Sequence, residues 1–182
     1  TAPLSVYGAS KRDGEQAVAA CGRHLTFRTS WVVGVHGHNF IKTMLRLAAE
    51  RDSLKVVADQ FGAPTSAALL AETTAAILAR MKDAPVTDPR WGLYHLVPGG
   101  ETTWHGLARY VVGRARDMGL AVKAAPETVL PITTAEYPTP AARPANSRLD
   151  TSRLRSAFAI TLPEWQAGVD AVLDRLLPEM RS

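Results

Sequence analysis

The sequence predicts an α/β fold, because helical and strand patterns alternate along most of its 182 residues. Helices are indicated by apolar residues at a spacing of three and four, and strands by short runs rich in β-branched and aromatic residues. The composition is that of a folded protein, since 46% of the residues are hydrophobic and 21% are charged. No internal repeat or low-complexity tract is visible, and the chain is long enough to bury a substantial core.

The first predicted elements are a helix and a strand. Residues 5–20 are expected to be helical and to end at Gly22, because glycine suits the left-handed position after a helix. Residues 25–33 are expected to form one strand that ends before Gly34. The same criteria predict helices at residues 40–51, 66–81 and 104–118, and strands at residues 54–57 and 92–97.

The last third of the chain is less regular. Residues 122–147 hold five of the twelve prolines and are not expected to form one regular element. Thr161 and Glu164 have the spacing of a capping box, which predicts a final helix with Thr161 as its N-cap.

Composition also limits the classes of function. The net charge of +4 is small and scattered, so nucleic acid is not an expected partner. No apolar run is long enough for a membrane span, and residues 1–5 do not resemble a signal peptide. Cys21 is the only cysteine, which favours a reducing, cytoplasmic setting, and it is expected to be a buried small residue. His36 and His38 lack a third ligand at metal-binding spacing, so no metal site is predicted.

The sharpest chemical signal is the pair Tyr7 and Lys11. Residues four apart share one face of a helix, and a fixed ammonium beside a phenol stabilises the phenolate. Tyr7 could therefore donate or accept a proton near neutral pH. A Tyr-x-x-x-Lys spacing is common, however, and by itself also fits an ordinary surface pair.

The surrounding segments make the pair more specific. Polar residues beside aromatic ones recur at residues 28–31, 36–40, 59–65 and 142–148. Together with Val6-Tyr7-Gly8-Ala9-Ser10-Lys11, these segments resemble the dTDP-4-dehydrorhamnose reductases of the extended short-chain dehydrogenase/reductase superfamily. The most specific are Arg28-Thr29-Ser30-Trp31, Asp59-Gln60-Phe61-Gly62-Ala63-Pro64-Thr65 and Arg143-Pro144-Ala145-Asn146-Ser147-Arg148-Leu149.

The resemblance implies an architecture. The chain would hold the C-terminal part of a Rossmann-like, doubly wound parallel sheet and a smaller substrate-binding lobe. Residues 1–38 would be the last elements of the dinucleotide-binding domain, including the catalytic helix. Residues 39–182 would be mainly the substrate-binding lobe, interleaved with strands that return to the sheet.

The resemblance also implies a reaction, which is hydride transfer from NADPH or NADH to the 4-keto carbon of a dTDP-linked deoxysugar. Tyr7 would protonate the developing alkoxide, and Lys11 would hold the nicotinamide ribose. The remaining implied contacts are Thr29 and Ser30 with the nicotinamide, Trp31 with the sugar, Asn39 near the diphosphate, and Gln60 and Arg143 with the substrate. Magnesium at a dimer contact and a homodimer are possible by the same resemblance.

One expected motif is absent from the sequence. There is no Gly-x-Gly, and the family's glycine-rich cofactor turn lies before the catalytic helix. We therefore expect Thr1 to be an interior residue of a longer reductase, and this chain alone to be inactive. The alternative is a non-catalytic nucleotide-sugar-binding relative, similar to the regulatory subunit of methionine adenosyltransferase. Retention of Tyr7 and Lys11 favours the reductase.

Overall fold

Parallel strand pairing organises the chain. The computed structural model describes residue 3 and residues 5–139 and 144–181. Three parallel pairs are β1 (Leu25–Arg28) with β6 (Gly92–His95), β2 (Val32–Val33) with β5 (Thr65–Ser66), and β3 (Leu54–Val57) with β8 (Val129–Ile132). An antiparallel pair joins β4 (Phe61–Gly62) to β7 (Thr102–Thr103). Helices lie between the paired strands along the chain, which confirms the predicted α/β class.

The helices begin at the polar residues that the sequence provides. They are α1 (Val6–Ala19), α2 (Phe40–Glu50), α3 (Ala67–Met81), α4 (Trp104–Asp117), α5 (Ser152–Phe158) and α6 (Trp165–Arg181). At the first four, a side-chain oxygen of the preceding residue accepts a hydrogen bond from the first turn, and these caps are Ser5, Asn39, Ser66 and Thr103. The helices predicted at residues 5–20, 40–51, 66–81 and 104–118 therefore start within one residue of their expected positions.

The expected single strand over residues 25–33 is wrong. The structure divides it into β1 and β2, which pair with different strands. Between them, Trp31 has a φ of 50°, a left-handed conformation that no extended strand can contain. The β-branched and aromatic composition of residues 25–33 predicted a strand but gave no sign of this break.

Two hydrophobic cores support these elements. The larger lies among α2, α4 and α6, where Leu45, Val111 and Leu173 are fully buried. The smaller packs α3 and α5 against β6 around Ile77 and Tyr94. The two cores take residues alternately along the chain. The domain boundary after residue 38 stays a prediction.

The last third differs from expectation in two places. Thr161 does not cap α6, because Glu164 pairs with Gly99 and the helix begins only at Trp165, whose N–H donates to the Gly99 carbonyl over 3.1 Å. The short α5 was not predicted. Within the proline-rich stretch lie β8 and two short 3-10 helices, Pro126–Thr128 and Thr134–Glu136.

Two further findings concern surfaces. Cys21 is exposed, so the expectation of a buried cysteine is wrong. It follows the end of α1, a helix with no buried residue that could draw it inward. Across the part of the chain that the structure describes, no helix has the length and apolar character needed to cross a bilayer.

Candidate functional site

A cavity of about 590 Å³ opens between α2, β2 and β3. Its volume is in the range of small-molecule sites, about 300–1,000 Å³. Aliphatic side chains of α2 and of the two strands form the apolar part. The other walls are aromatic and polar, and include Phe40, Gln60, Trp104, Tyr137 and Thr139.

The charge of the cavity comes from Arg51 and Lys55. Arg51 follows α2 and Lys55 lies on β3, and both side chains belong to the lining. None of the described lining residues is acidic. A site with two cations, aromatic rings and an aliphatic wall suits an anionic ligand that also carries a ring, such as a nucleoside diphosphate derivative.

Two stacked indoles support one wall of the cavity. The rings of Trp31 and Trp104 have centroids 3.8 Å apart and planes inclined by 17°. Phe40 tilts against Trp104 at 4.7 Å. Trp31 itself does not line the cavity but contacts Trp104, which does. The position of Trp104 at the start of a predicted helix gave no reason, from the sequence alone, to place it at a ligand site.

Gln60 is buried at the same wall, with 6% of its surface exposed. Its Oε1 accepts from the Trp104 indole N–H over 3.2 Å, and its Nε2 donates to Thr134 Oγ1 over 3.1 Å. Thr134 in turn donates its hydroxyl and its backbone N–H to Asp59, and these bonds hold the pKa of that carboxyl below its ordinary value. Gln60 thus reaches the cavity, but both ends of its amide have protein partners.

Asn39 also has protein partners at both ends of its amide. Its Oδ1 accepts from the Lys42 N–H over 3.2 Å, and its Nδ2 donates to the Gly34 carbonyl over 2.7 Å. These bonds begin α2 and fix the loop between β2 and α2. In the structure, Asn39 therefore orients the helix that forms the apolar wall.

Tyr7 and Lys11 lie on α1 and do not line this cavity. Lys11 Nζ is 5.5 Å from the centroid of the Tyr7 ring, a cation–π distance. Tyr7 is 71% exposed, so its phenol is accessible to a reactant. The structure thus brings the two residues of the predicted catalytic pair together on one helix face.

A partly buried ion pair joins α1 to β1. Arg28 Nη2 and Nε reach the two carboxylate oxygens of Glu15 at 2.6 and 2.8 Å. This bidentate bond lowers the pKa of Glu15, although partial burial opposes the shift. Glu15 is one helical turn after Lys11, so the pair holds the face of α1 that carries Tyr7 and Lys11.

The link between β1 and β2 contains the other residues assigned to the cofactor. Thr29 is exposed, whereas the Ser30 hydroxyl oxygen is buried and has no hydrogen-bond partner. A buried hydroxyl without a partner is costly, and a polar ligand atom would satisfy it. Arg143, the remaining predicted substrate contact, lies outside the described residues.

Metal binding has little support here. His36 and His38 are both exposed. Among the residues that the structure describes, no group of three or more His, Cys, Asp or Glu side chains could hold a metal ion. The magnesium that the resemblance allows therefore has no ligand set in this part of the chain.

Comparison with known proteins decides the family. A family model described as the RmlD substrate binding domain matches residues 1–177. The chain belongs to the RmlD substrate-binding domain family. This confirms the resemblance drawn from the sequence motifs.

Relatives of this RmlD-family chain agree with one another. A dTDP-4-dehydrorhamnose reductase of Shigella flexneri is 50% identical over 177 residues, which cover 97% of this chain and 58% of that protein. A crystal structure of a dTDP-4-dehydrorhamnose reductase ortholog from Clostridium acetobutylicum has a TM-score of 0.80 at 34% identity, covering 97% of this chain and 57% of that one. The enzyme from Bacillus anthracis in complex with NADP has a TM-score of 0.75 at 33% identity, covering 96% and 57%.

The RmlD-family chain therefore spans less than two thirds of the length of these relatives. Its described part contains the α1 pair and the basic, aromatic cavity as two separate features. Sequence reasoning missed Arg51, Lys55 and Phe40 at the cavity. Arg51 and Lys55 flank the turn between α2 and β3, and an isolated pair of basic residues at a turn is usually only a solvated surface.

Proposed function

We propose that this chain is the C-terminal part of a dTDP-4-dehydrorhamnose reductase. The intact protein would reduce the 4-keto group of dTDP-4-dehydro-L-rhamnose to dTDP-L-rhamnose. The observation that carries the proposal is the contact of Lys11 with the Tyr7 ring on an exposed helix face, in a chain whose curated relatives are reductases of that name. A reducing, cytoplasmic setting belongs to the proposal, and the exposed thiol of Cys21 is compatible with it.

The residues present fit a nicotinamide cofactor. Ser30 offers a buried hydroxyl that lacks a partner, Thr29 offers an exposed one, and Lys11 offers an ammonium beside the exposed phenol. NADPH or NADH, when bound, supplies the hydride that adds to C4 of the sugar. The NADP complex of the Bacillus anthracis relative supports a cofactor of this nicotinamide class.

Tyr7 has the role of proton donor in this proposal. As the C4=O double bond is lost, the oxygen takes the proton of the Tyr7 hydroxyl, and the resulting phenolate is stabilised by the Lys11 ammonium. Glu15 and Arg28 hold α1 in place during this step. A homodimer is part of the same proposal, and the mass of the protein in solution tests it.

The substrate part of the proposal uses the cavity. Arg51 and Lys55 would attract the diphosphate, and the rings of Phe40 and Trp104 would contact the base or the sugar. Trp31 would act through its stack on Trp104, and Asn39 through the position of α2. Gln60 and Arg143 remain proposed substrate-side residues.

The test is Tyr7→Phe in the full-length protein, with NADPH oxidation measured on the keto-sugar. This change keeps the ring and removes the hydroxyl, so kcat should fall by about 10²- to 10⁴-fold with little change in KM. Tyr110→Phe is the matched control, because its hydroxyl donates to Asp170, away from the cavity, and kcat should be retained.

Two outcomes would contradict the proposal. Wild-type turnover by Tyr7→Phe would remove Tyr7 as the proton donor. Binding of dTDP-sugar without any reduction by the wild-type protein would favour the non-catalytic relative instead.

A further inference from the structure

We propose that Gln60 is a positioning residue, which sets the orientation of the Trp104 indole at the cavity wall and thereby the affinity for the sugar nucleotide. The inference rests on the proposed function for the identity of the ligand. It differs from the direct substrate contact expected from the sequence, because both ends of the Gln60 amide are bonded to protein groups.

Strand register explains why these two residues meet. In the antiparallel pair of β4 and β7, Phe61 lies opposite Thr103 and Gly62 lies opposite Thr102. The same register places Gln60 opposite Trp104, one step beyond the pair. Their hydrogen bond joins side chains 44 residues apart, and it closes the end of this short ladder.

The backbone around Gln60 is fixed on both sides. Phe61 donates its N–H to the Ala145 carbonyl over 2.9 Å, and its own carbonyl accepts from Ser147 over 2.8 Å. Just before Gln60, the N–H of Ala58 donates to the Ile132 carbonyl over 2.9 Å. The bonds of Ala58 and Phe61 hold the chain on both sides of Gln60, so its side chain projects from a fixed segment.

The hydrogen bonds run in one direction. An indole N–H can only donate, so the oxygen of Gln60 faces Trp104 and its NH₂ group faces Thr134. The Thr134 oxygen then accepts from Gln60, and its proton points to the Asp59 carboxylate at 2.6 Å. Each polar group in the series Trp104, Gln60, Thr134, Asp59 has one defined role, which leaves the indole one favoured orientation.

Gln60 also connects two walls of the cavity. Trp104 stands on one side, at the start of α4. Thr134 begins the short 3-10 helix that leads to Tyr137, a cavity residue on the other side. A loss of the amide would therefore remove one hydrogen bond from each of these two walls.

The ring stack makes this orientation consequential. The face of Trp104 is held by Trp31 at 3.8 Å and by Phe40 at 4.7 Å, but ring contacts alone allow sliding and in-plane rotation. The bond from the indole nitrogen to Gln60 removes that freedom. When the side chains of a wall are already ordered, they lose no further conformational entropy as the ligand binds.

The experiment compares Gln60→Met, Trp104→Phe and the double variant in the full-length protein. Gln60→Met removes both hydrogen bonds at similar length, and Trp104→Phe removes the indole donor but keeps a ring. Each single change should raise KM for the keto-sugar and Kd for dTDP by about tenfold, with kcat within about twofold and KM for NADPH unchanged. The double variant should be no weaker than the weaker single variant.

Near-ultraviolet circular dichroism supplies a readout that does not need activity. The spectrum of Gln60→Met should move toward that of Trp104→Phe, because the stacked indoles lose their fixed geometry. Trp91→Phe is the matched control, since its indole also donates a hydrogen bond, to the Pro85 carbonyl, but it lies outside the cavity. It should leave both KM and Kd unchanged.

Additive effects in the double variant would overturn the inference, because Gln60 would then act on the ligand independently of Trp104. An unchanged spectrum or unchanged affinity in Gln60→Met would also overturn it. If Gln60→Met fails to fold, Gln60→Glu replaces it, since a carboxylate still accepts from the indole but cannot donate to Thr134. Its spectrum should then stay near wild type, and a Trp104→Phe-like spectrum would contradict the inference.

Failure of the proposed function would look different. A wild-type protein that binds dTDP but does not reduce the keto-sugar would refute the reductase. The affinities and spectra of the Gln60 and Trp104 variants would still decide the role of Gln60.

Discussion

The guanidinium of Arg28 donates two hydrogen bonds, of 2.6 and 2.8 Å, to the carboxylate of Glu15. The bond joins the end of β1 to the helix that carries Tyr7 and Lys11. α1 has no buried residue in the described structure, and this ion pair joins the helix to the sheet. The orientation of the proposed proton donor therefore depends on a pair that touches no reactant.

Glu15→Gln tests that dependence. The neutral amide can keep one hydrogen bond to Arg28 but loses the charge, so the free energy of unfolding should fall by about 1 kcal/mol. kcat should fall several-fold, because α1 is held less firmly, while KM for the sugar nucleotide should stay the same. Urea unfolding and steady-state kinetics on the full-length protein measure both effects.

The control for Glu15→Gln is Glu50→Gln. Glu50 pairs with Arg46 on α2, but both side chains are more than half exposed, and such pairs contribute little. It should leave stability and kcat unchanged within error. Equal losses in the two variants would show that the Arg28 pair has no special role.

Trp31→Ala should weaken binding of the sugar nucleotide even though Trp31 does not line the cavity. The change removes the ring against which Trp104 stacks, so KM should rise. The free energy of unfolding should fall by about 2 kcal/mol, from lost burial and the lost ring pair. Trp31→Phe, which keeps a ring face, should show smaller losses of both. An unchanged KM in Trp31→Ala would remove Trp31 from the site.

Much of the helical structure could be predicted from local sequence. In α2, apolar residues at helical spacing supply the buried face, and Asn39 supplies the cap. In α4, Thr103 caps the start, and Gly119 follows the end with a positive φ of 82°. These signals lie within the element itself, which is why the sequence carries them.

The remaining features depend on contacts between distant residues. The break at Trp31 arises because β1 and β2 pair with strands that lie far apart in the sequence, and no local pattern records that choice. The place of Trp104 in the cavity wall follows from the register of β4 with β7. The motif residues Trp31 and Gln60 both contact Trp104, and that shared partner could be found only from the fold.

Gly62→Ala should disturb the stacked indoles directly. A Cβ at this position would lie 2.7 Å from Trp31 Cε2, closer than real contacts allow, and Trp31 is already stacked on Trp104. The ring has to shift, so the free energy of unfolding should fall by about 1–3 kcal/mol, and KM for the sugar nucleotide should rise. Thermal unfolding and kinetics measure the two effects.

Gly113→Ala is the control for Gly62→Ala. Gly113 lies inside α4, where a Cβ would make only an ordinary contact of 3.4 Å with Pro126 Cγ. Alanine favours a helix interior over glycine, so this variant should be unchanged or slightly more stable. A Gly62→Ala protein as stable as Gly113→Ala would contradict the tight packing of Trp31.

Asp88 should make the protein less stable in acid over a defined range of pH. Its carboxylate accepts hydrogen bonds from the Arg90 side chain and backbone, which lower its pKa from 3.8 to about 2. Because the folded pKa lies below the unfolded one, the stabilisation is complete above pH 3.8 and disappears as the pH falls toward 2. The difference in urea midpoint between wild type and Asp88→Asn should therefore shrink across that interval. Asp83→Asn, at an exposed pair with Lys82, should change the midpoint little. A wild-type advantage over Asp88→Asn that persists undiminished at pH 2 would exclude this origin.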